Sequence, residues 1–307
     1  MNQFLTKITE FIQSDTKKTK VITILGPTAS GKTALSIKVA KLFNGEIIST
    51  DSRQIYRQMP IATAVVTVEE RQEIPHHLIE ILEPDQILTL AEYHQLATQK
   101  IEEITSRGKI PILTGGTGLY ISAILENYQI PLIPPDDSLR ATLQQEKSEK
   151  GSEHLHKLLQ ELDPEAAEHI HPNNARYLIR AIEKSKTSHQ KPQKGNSPYE
   201  SFNIIIDWPR EQLYQRIEDR VEQLFQNGIV EEIQALVSKA ISPELPSMSA
   251  VGVKEIIPFL EGKSTLEETK NLIKRNTRRY AKRQLTWFRR FQDLNYLTPD
   301  QLKELLK

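Results

Sequence analysis

The chain is expected to fold as an α/β protein, a parallel sheet flanked by helices and carrying an all-helical insertion domain. Three observations point there. Short apolar runs alternate with helical patterns through residues 20–130. Residues 131–201 then show helical patterns and no evident strand. A strand-like run, Phe202–Asp207, follows that stretch. Strands that alternate with helices imply parallel pairing through right-handed crossovers.

The elements follow in order. Phe4, Leu5, Ile8, Phe11 and Ile12 form a helical stripe, broken by Glu10 and Asp15. Without an apolar signal core or an arginine, residues 1–19 read as a short docking helix. Val21–Leu25 reads as a strand, and Ala34 to Phe43 as the helix after it. Between them stand Gly26, Pro27, Thr28, Ala29, Ser30, Gly31, Lys32 and Thr33, a complete G-x-x-x-x-G-K-T phosphate loop. Its glycines let backbone N–H groups turn around a phosphate, at the positive end of the following helix dipole. Lys32 adds a point charge, and the Thr33 hydroxyl is placed to hold Mg. The sheet is therefore expected to be P-loop NTPase-like.

Glu46–Thr50 reads as a second strand and ends at Asp51. Ala91–Arg107 is an amphipathic helix closed by Gly108. Ile110–Thr114 is a strand that runs into Gly115, Gly116, Thr117 and Gly118, followed by the apolar helix Leu119–Leu125. In such sheets ligands sit beyond the carboxyl ends of the strands. Residues 26–33, 51–54 and 115–118 are thus expected to line one crevice. The core takes in residues 20–130 and 202–297. The insertion, residues 131–201, opens with Pro131, Pro134 and Pro135 and has helical stretches at Ser138–Lys147, Glu153–Leu162 and Ala175–Lys184. Its polar tract Ser185–Ser201 reads as the one mobile linker. Glu211–Leu236 reads as a long helix broken near Gly228, with helices continuing to about Phe291.

Composition excludes several classes. Of 307 residues, 38% are hydrophobic and 26% charged, ordinary for a globular protein, and no apolar run nears the roughly 18 residues of a membrane span. With no cysteine there is no disulfide, thiolate catalysis or cysteine-ligated zinc. The 40 basic and 40 acidic residues cancel, yet Lys274, Arg275, Arg278, Arg279, Lys282, Arg283, Arg289 and Arg290 fall within 17 positions without an acid. That stripe is either an anion-binding face or a solvated helix face. Trp287 and Phe288 within it are core anchors or base-stacking platforms.

Other residues leave alternatives open. Asp51 could bind Mg, act as a general base, or cap the next turn. The glycine run 115–118 could cradle a second phosphate or serve only as a turn. His76 and His77 are adjacent and point apart, so a structural role is favoured. Asp207 mimics the strand-plus-Asp signature of a nucleoside triphosphatase. Arg216 and Arg220, four apart, share a helix face and could reach one anion.

Taken together the chain resembles the tRNA dimethylallyltransferases, also called tRNA isopentenyltransferases. The matching segments are GPTASGKT at 26–33, DSRQIYR at 51–57, PHHL at 75–78, GGTGLYI at 115–121, DPEAAEHIHPNNARYLIRAIE at 163–183, REQLYQRIEDRVEQL at 210–224, VGVKE at 251–255 and TRRYAKRQLTWFRR at 277–290. The resemblance implies transfer of a dimethylallyl group from its diphosphate to an adenosine beside the tRNA anticodon, with Mg, in the cytoplasm. The loop 26–33 would hold the leaving diphosphate. Asp51 would accept the amine proton, assisted by Thr28, Lys32 and Arg220. Asp51, Ser52, Arg53, Gln54, Thr117, Arg140, Arg176 and Arg180 would contact the anticodon stem-loop. The expected partners are tRNA and dimethylallyl diphosphate, with no membrane, and the chain is expected to act as a monomer.

Two departures stand out. The family's Gly-Thr-Ala-Lys-Pro-Thr is Ala62-Thr63-Ala64-Val65-Val66-Thr67 here, which removes a lysine near the site. Tyr177 replaces a common arginine. The alternatives are an adenylate dimethylallyltransferase of the cytokinin-making type and a phosphate-loop kinase or ATPase, the latter requiring a metal-binding Asp207.

Overall fold

The computed structural model describes residues 3–130, 136–187 and 193–307. In chain order the first half holds α1 (Gln3–Gln13), β1 (Thr19–Leu25), α2 (Lys32–Leu42), β2 (Gly45–Ser49), α3 (Pro60–Thr63), α4 (Val68–Arg71) and β3 (His76–His77). Then come α5 (Leu90–Ser106), β4 (Ile110–Thr114), α6 (Gly118–Leu125) and β5 (Tyr128–Gln129). The insertion contributes α7 (Asp137–Lys150), α8 (Ser152–Leu162), α9 (Pro164–His169), α10 (Ala175–Thr187) and β6 (Gln193–Lys194). The remainder is β7 (Tyr199–Ile206), α11 (Arg210–Gln226), α12 (Ile229–Ser238), α13 (Val253–Leu260), α14 (Leu266–Phe288), β8 (Leu294–Leu297) and α15 (Pro299–Leu306). None of these helices is long and apolar enough to cross a membrane.

The sheet runs β3-β2-β4-β1-β7-β8, with every pairing parallel. Side chains alternate between its faces, as strand geometry requires. Ile22 and Ile24 of β1 pack with Leu35 and Val39 of α2, Ile8 of α1 and Leu302 and Leu305 of α15. Val21, Ile48 and Leu113 face the other way, onto Tyr93, Ala97, Ile101 and Ile104 of α5 and Ile124 of α6. Burial on both faces explains why the central strands are apolar throughout. A separate cluster joins Val221, Ile229, Ile233, Val253, Ile256 and Ile273 of α11–α14 to Ile55, Tyr56 and Met59. Gly228 lies between α11 and α12 with φ of 92°, a left-handed conformation that breaks the long helix where expected.

Several sequence expectations are corrected. Beyond the strands expected from the sequence, β8 adds an edge strand, pairing Asn203 with Leu294 and Ile206 with Leu297. Its sequence, Leu-Asn-Tyr-Leu, has no β-branched residue, so only the pairing identifies it. The boundary at residue 201 falls inside β7, whose Tyr199 lies opposite Thr19. Compact units consist of residues 1–128 with 195–307, and of residues 129–194. The tract 185–201 is not a linker along its whole length: α10 extends to Thr187, and β6 and the start of β7 also lie within it. Residues 188–192 of that tract, and Pro131, Pro134 and Pro135, lie outside the described residues. The insertion has its own apolar centre of Leu143, Leu155, Leu159, Ala167, Leu178 and Ile182.

His77 is engaged by an acidic partner. Its Nε2 lies 2.7 Å from Glu46, which also accepts from Arg107 at 2.7 Å and Lys109 at 2.9 Å. Burial works to raise the Glu46 pKa, but the bonds from Lys109, His77 and Arg107 outweigh it and hold the carboxyl at about 2. A carboxylate depressed in the folded state stabilises above its unfolded pKa, and that contribution is lost as pH falls through the folded one. Glu46→Gln is therefore expected to cost about 2–3 kcal/mol at neutral pH. In urea melts the gap to the unsubstituted protein should close between about pH 4.5 and 2, the interval over which Glu46 protonates.

Candidate active site

The phosphate loop joins the carboxyl end of β1 to α2, and its shape follows from its residues. Gly31 has φ of 97°, and Ala29 is also left-handed at 63°. At Gly26 a Cβ would lie 2.7 Å from the Ser30 hydroxyl, so a side chain there would displace the loop. The loop is pinned both by its own lysine and from outside. Lys32 Nζ donates to the Gly26 and Pro27 carbonyls, both at 2.9 Å. Arg216 Nε donates to the Ala29 carbonyl at 2.7 Å, and Trp208 Nε1 to the Ser30 carbonyl at 2.9 Å. The Arg216 guanidinium also stacks 4.3 Å over the Trp208 ring. Gln284 Oε1 of α14 accepts from the Thr28 amide at 2.9 Å. Carbonyls held by such donors have their hydrogen bonds made within the protein, while the first-turn amides of α2 have no intrahelical acceptor.

Asp51 lies just past β2, where Thr50 prolongs the ladder by donating to the Thr114 carbonyl at 2.8 Å. One Asp51 oxygen accepts from the Arg53 amide at 2.9 Å, which fits the turn-capping alternative. The other faces Gly116, where a Cβ would sit 3.1 Å from Oδ2. Asp51 is also close enough for its charge to act on Lys32 and Arg220. Burial lowers the Lys32 pKa to about 8; Asp51 works to raise it and Arg220 to lower it. Arg220 is lowered chiefly by desolvation, opposed by Asp51 and Glu70. Arg216 and Arg220 thus share a helix face but act differently. Arg216 braces the loop, and Arg220 stands beside Lys32 and Asp51.

The glycine run after β4 answers to close packing. A Cβ on Gly115 would come within 2.4 Å of the Thr50 backbone, on Gly116 within 2.4 Å of Gln284, and on Gly118 within 2.1 Å of Trp287. Thr117 donates its amide to the Thr50 carbonyl at 3.0 Å, and its hydroxyl accepts from the Ser52 amide at 2.9 Å. Residues 26–33, 51–54 and 115–118 are therefore brought together beyond the carboxyl ends of β1, β2 and β4. Tyr280, Gln284 and Trp287 were not singled out together from sequence, yet their four- and three-residue spacing is a helix-face signal. Phe288 is fully buried and Trp287 donates to Ser122 at 3.2 Å, so both are core anchors.

Other expected contact residues are already engaged. Gln54 accepts from Ser49 at 3.0 Å and donates to the Ala64 carbonyl at 3.0 Å. Arg53 donates to the Pro246 carbonyl. Within the insertion, Arg140 and Arg180 both pair with Glu183, whose side chain is fully buried. Arg176 is exposed on α10, as is Tyr177 at 66%. Asp207 is exposed at the end of β7, and no cluster of three or more His, Asp or Glu suited to a metal occurs among the described residues. The basic stripe on α14 is divided. Lys274 and Arg278 pair with Glu222 and Glu218 of α11, whereas Arg275, Arg279, Lys282, Arg283, Arg289 and Arg290 lie outside those pairs.

The family described as IPP transferase matches residues 54–291. The chain belongs to this family. Among curated IPP transferase relatives, a tRNA dimethylallyltransferase of Acetivibrio thermocellus is 45% identical over 288 residues, covering 92% of each chain. One from Carboxydothermus hydrogenoformans is 47% identical over 279 residues, covering 88% of this chain and 89% of the relative. A tRNA isopentenylpyrophosphate transferase of Bacillus halodurans has a similar structure, with a TM-score of 0.71, 42% identity and 94% of each chain covered. A eukaryotic dimethylallyltransferase acting on tRNA aligns with a TM-score of 0.76 and 28% identity, over 93% of this chain and 75% of that one.

Lys32 yields a prediction. A bound anion raises the pKa of a neighbouring ammonium, so a lysine at about 8 takes up a proton on binding. Calorimetric titration with pyrophosphate, in buffers of differing ionisation enthalpy, should show about half a proton more taken up near pH 8 than by Lys32→Arg. That difference should vanish near about pH 6.5, where Lys32 is already charged.

Proposed function

We propose that this protein transfers a dimethylallyl group from dimethylallyl diphosphate to the exocyclic amine of the adenosine adjacent to the anticodon of tRNA. Isopentenyladenosine forms and diphosphate leaves. The observation that carries this reading is that Lys32 is seated on the phosphate loop while Asp51, packed against Gly116, is near enough for its charge to act on both Lys32 and Arg220. An NTPase reading would draw on Asp207 as a metal ligand, but that residue is exposed beyond β7. The relatives' names support tRNA as the acceptor and not free adenylate.

The chemistry follows from charge. As the allylic C–O bond breaks, negative charge grows on the diphosphate, where loop amides, Lys32 and Arg220 stabilise it. The adenine amine is a weak nucleophile because its lone pair is delocalised into the ring. Asp51 takes its proton as the C–N bond forms. The Thr28 hydroxyl adds a contact to the diphosphate. Thr33 stands in the first turn of α2, and no acidic cage stands nearby among the described residues. The Thr33 hydroxyl is the group of this chain that would hold a Mg ion beside the diphosphate. When bound, Mg would offset charge on the leaving group.

Ser52, Arg53, Gln54 and Thr117 line the acceptor side of the crevice. Arg140, Arg176 and Arg180 supply phosphate contacts from the insertion, and, separately, Arg275, Arg279 and Lys282 of α14 supply them from the core. We further propose that the chain acts as a monomer, in the cytoplasm where tRNA is found.

Incubation with labelled dimethylallyl diphosphate and either unmodified tRNA, AMP or ATP should place label on tRNA. Label on AMP alone would overturn the reading, and ATP hydrolysis without prenyl transfer would favour an NTPase. Asp51→Ala should lower turnover by about a thousandfold while tRNA affinity changes by less than about fivefold. Near-normal turnover in that variant would remove Asp51 from the role of base.

A further inference from the structure

We infer that Gln284 is a positioning residue, holding the diphosphate side and the acceptor side of the crevice in one register. Its carboxamide is buried, the residue being 4% exposed. The carbonyl oxygen accepts from the Thr28 amide at 2.9 Å, and the nitrogen donates to the Gly116 carbonyl at 3.0 Å. The Tyr280 hydroxyl, one helical turn earlier, approaches the same carbonyl at 3.4 Å. A carboxamide presents one acceptor and one donor side by side in a plane, and this site uses both. The orientation is set by the partners, because a flipped amide would oppose N–H to N–H and oxygen to oxygen.

The consequence concerns direction. In a phosphate loop the amides turn inward around the anion. Here the Thr28 amide is turned toward α14, which fixes the backbone from which the Thr28 side chain projects. On the other side, Gly116 has no room for a Cβ because Gln284, Asp51 and Tyr280 crowd it, at 2.4, 3.1 and 3.2 Å. Gln284 therefore sets the spacing between Thr28 and the Asp51 pocket. Reacting groups must be held to within a fraction of an ångström, so loss of this bridge falls on turnover more than on tRNA binding.

The inference rests on the transferase reading, and two variants test it. Gln284→Met keeps the volume and removes both hydrogen bonds. It should lower kcat at least tenfold, leave KM for tRNA within about twofold and weaken pyrophosphate affinity about fivefold or more. Gln284→Glu gives a signature that packing alone cannot. Protonated, its carboxyl accepts from Thr28 and donates to Gly116; ionised, it faces the Gly116 carbonyl with like charge. The ratio of variant to unsubstituted kcat should fall at least tenfold between about pH 6 and 8.5. A ratio independent of pH, or an unchanged kcat in Gln284→Met, would overturn the inference. If the unsubstituted protein passes no label to tRNA, the transferase reading fails. Pyrophosphate affinity of Gln284→Met then still decides the role of Gln284: a fivefold loss upholds the bridge, and an unchanged affinity removes it.

Discussion

The site depends on the pinning of the phosphate-loop carbonyls by donors of the protein. A loop that surrounds an anion with amides must dispose of its own carbonyl oxygens, which would repel the anion. Here Lys32 holds two of them, Arg216 a third and Trp208 a fourth. These donors come from β7's exit and α11 as well as from the loop itself. The loop is therefore held by parts of the chain that follow the insertion, and its geometry requires the complete core. Preorganisation of this kind lets the anion bind without reorganising the backbone.

The parallel sheet determines where chemistry can occur. β1, β2 and β4 are neighbours or next neighbours in the sheet, so the loops after them emerge side by side. The glycines at 115, 116 and 118 then allow Thr50, Gln284 and Trp287 to approach at distances that any side chain would forbid. Lys32 is desolvated in this setting, which places its pKa near physiological pH and makes its charge responsive to an arriving anion. The departures at Val65 and Val66 are absorbed in packing. Both side chains are buried, while Glu232 accepts from the Ile61 and Ala62 amides and Gln54 donates to the Ala64 carbonyl. The segment keeps its course through backbone contacts that do not require the lost lysine.

The insertion follows different rules. Its small apolar centre is accompanied by a buried Glu183 that accepts from Arg140, Arg180 and the Asp136 amide. A buried carboxylate with two guanidiniums is stabilising only if its partners remain in place. Arg140 and Arg180 therefore act in the architecture of their own unit as well as in any RNA contact.

Much of this was legible in the sequence. The strand–loop–helix pattern around Gly26–Thr33 specifies an anion site through local chemistry, because glycine conformations and a helix terminus act over a few residues. Short apolar runs likewise marked β1, β2, β4 and β7. Two kinds of feature were not legible. The edge strand β8 has weak local preference and exists through pairing with β7. The roles of Arg216, Trp208 and Gln284 arise from contacts across 178 to 256 positions of chain, over which sequence carries no distance information. The sequence by itself determined the strand–loop–helix unit around Gly26–Thr33, with a loop chemistry suited to an anion. Which side chains hold the loop open, and how the acceptor side is spaced from it, was decided only by tertiary structure, since those bonds form between elements that meet only after the sheet has assembled.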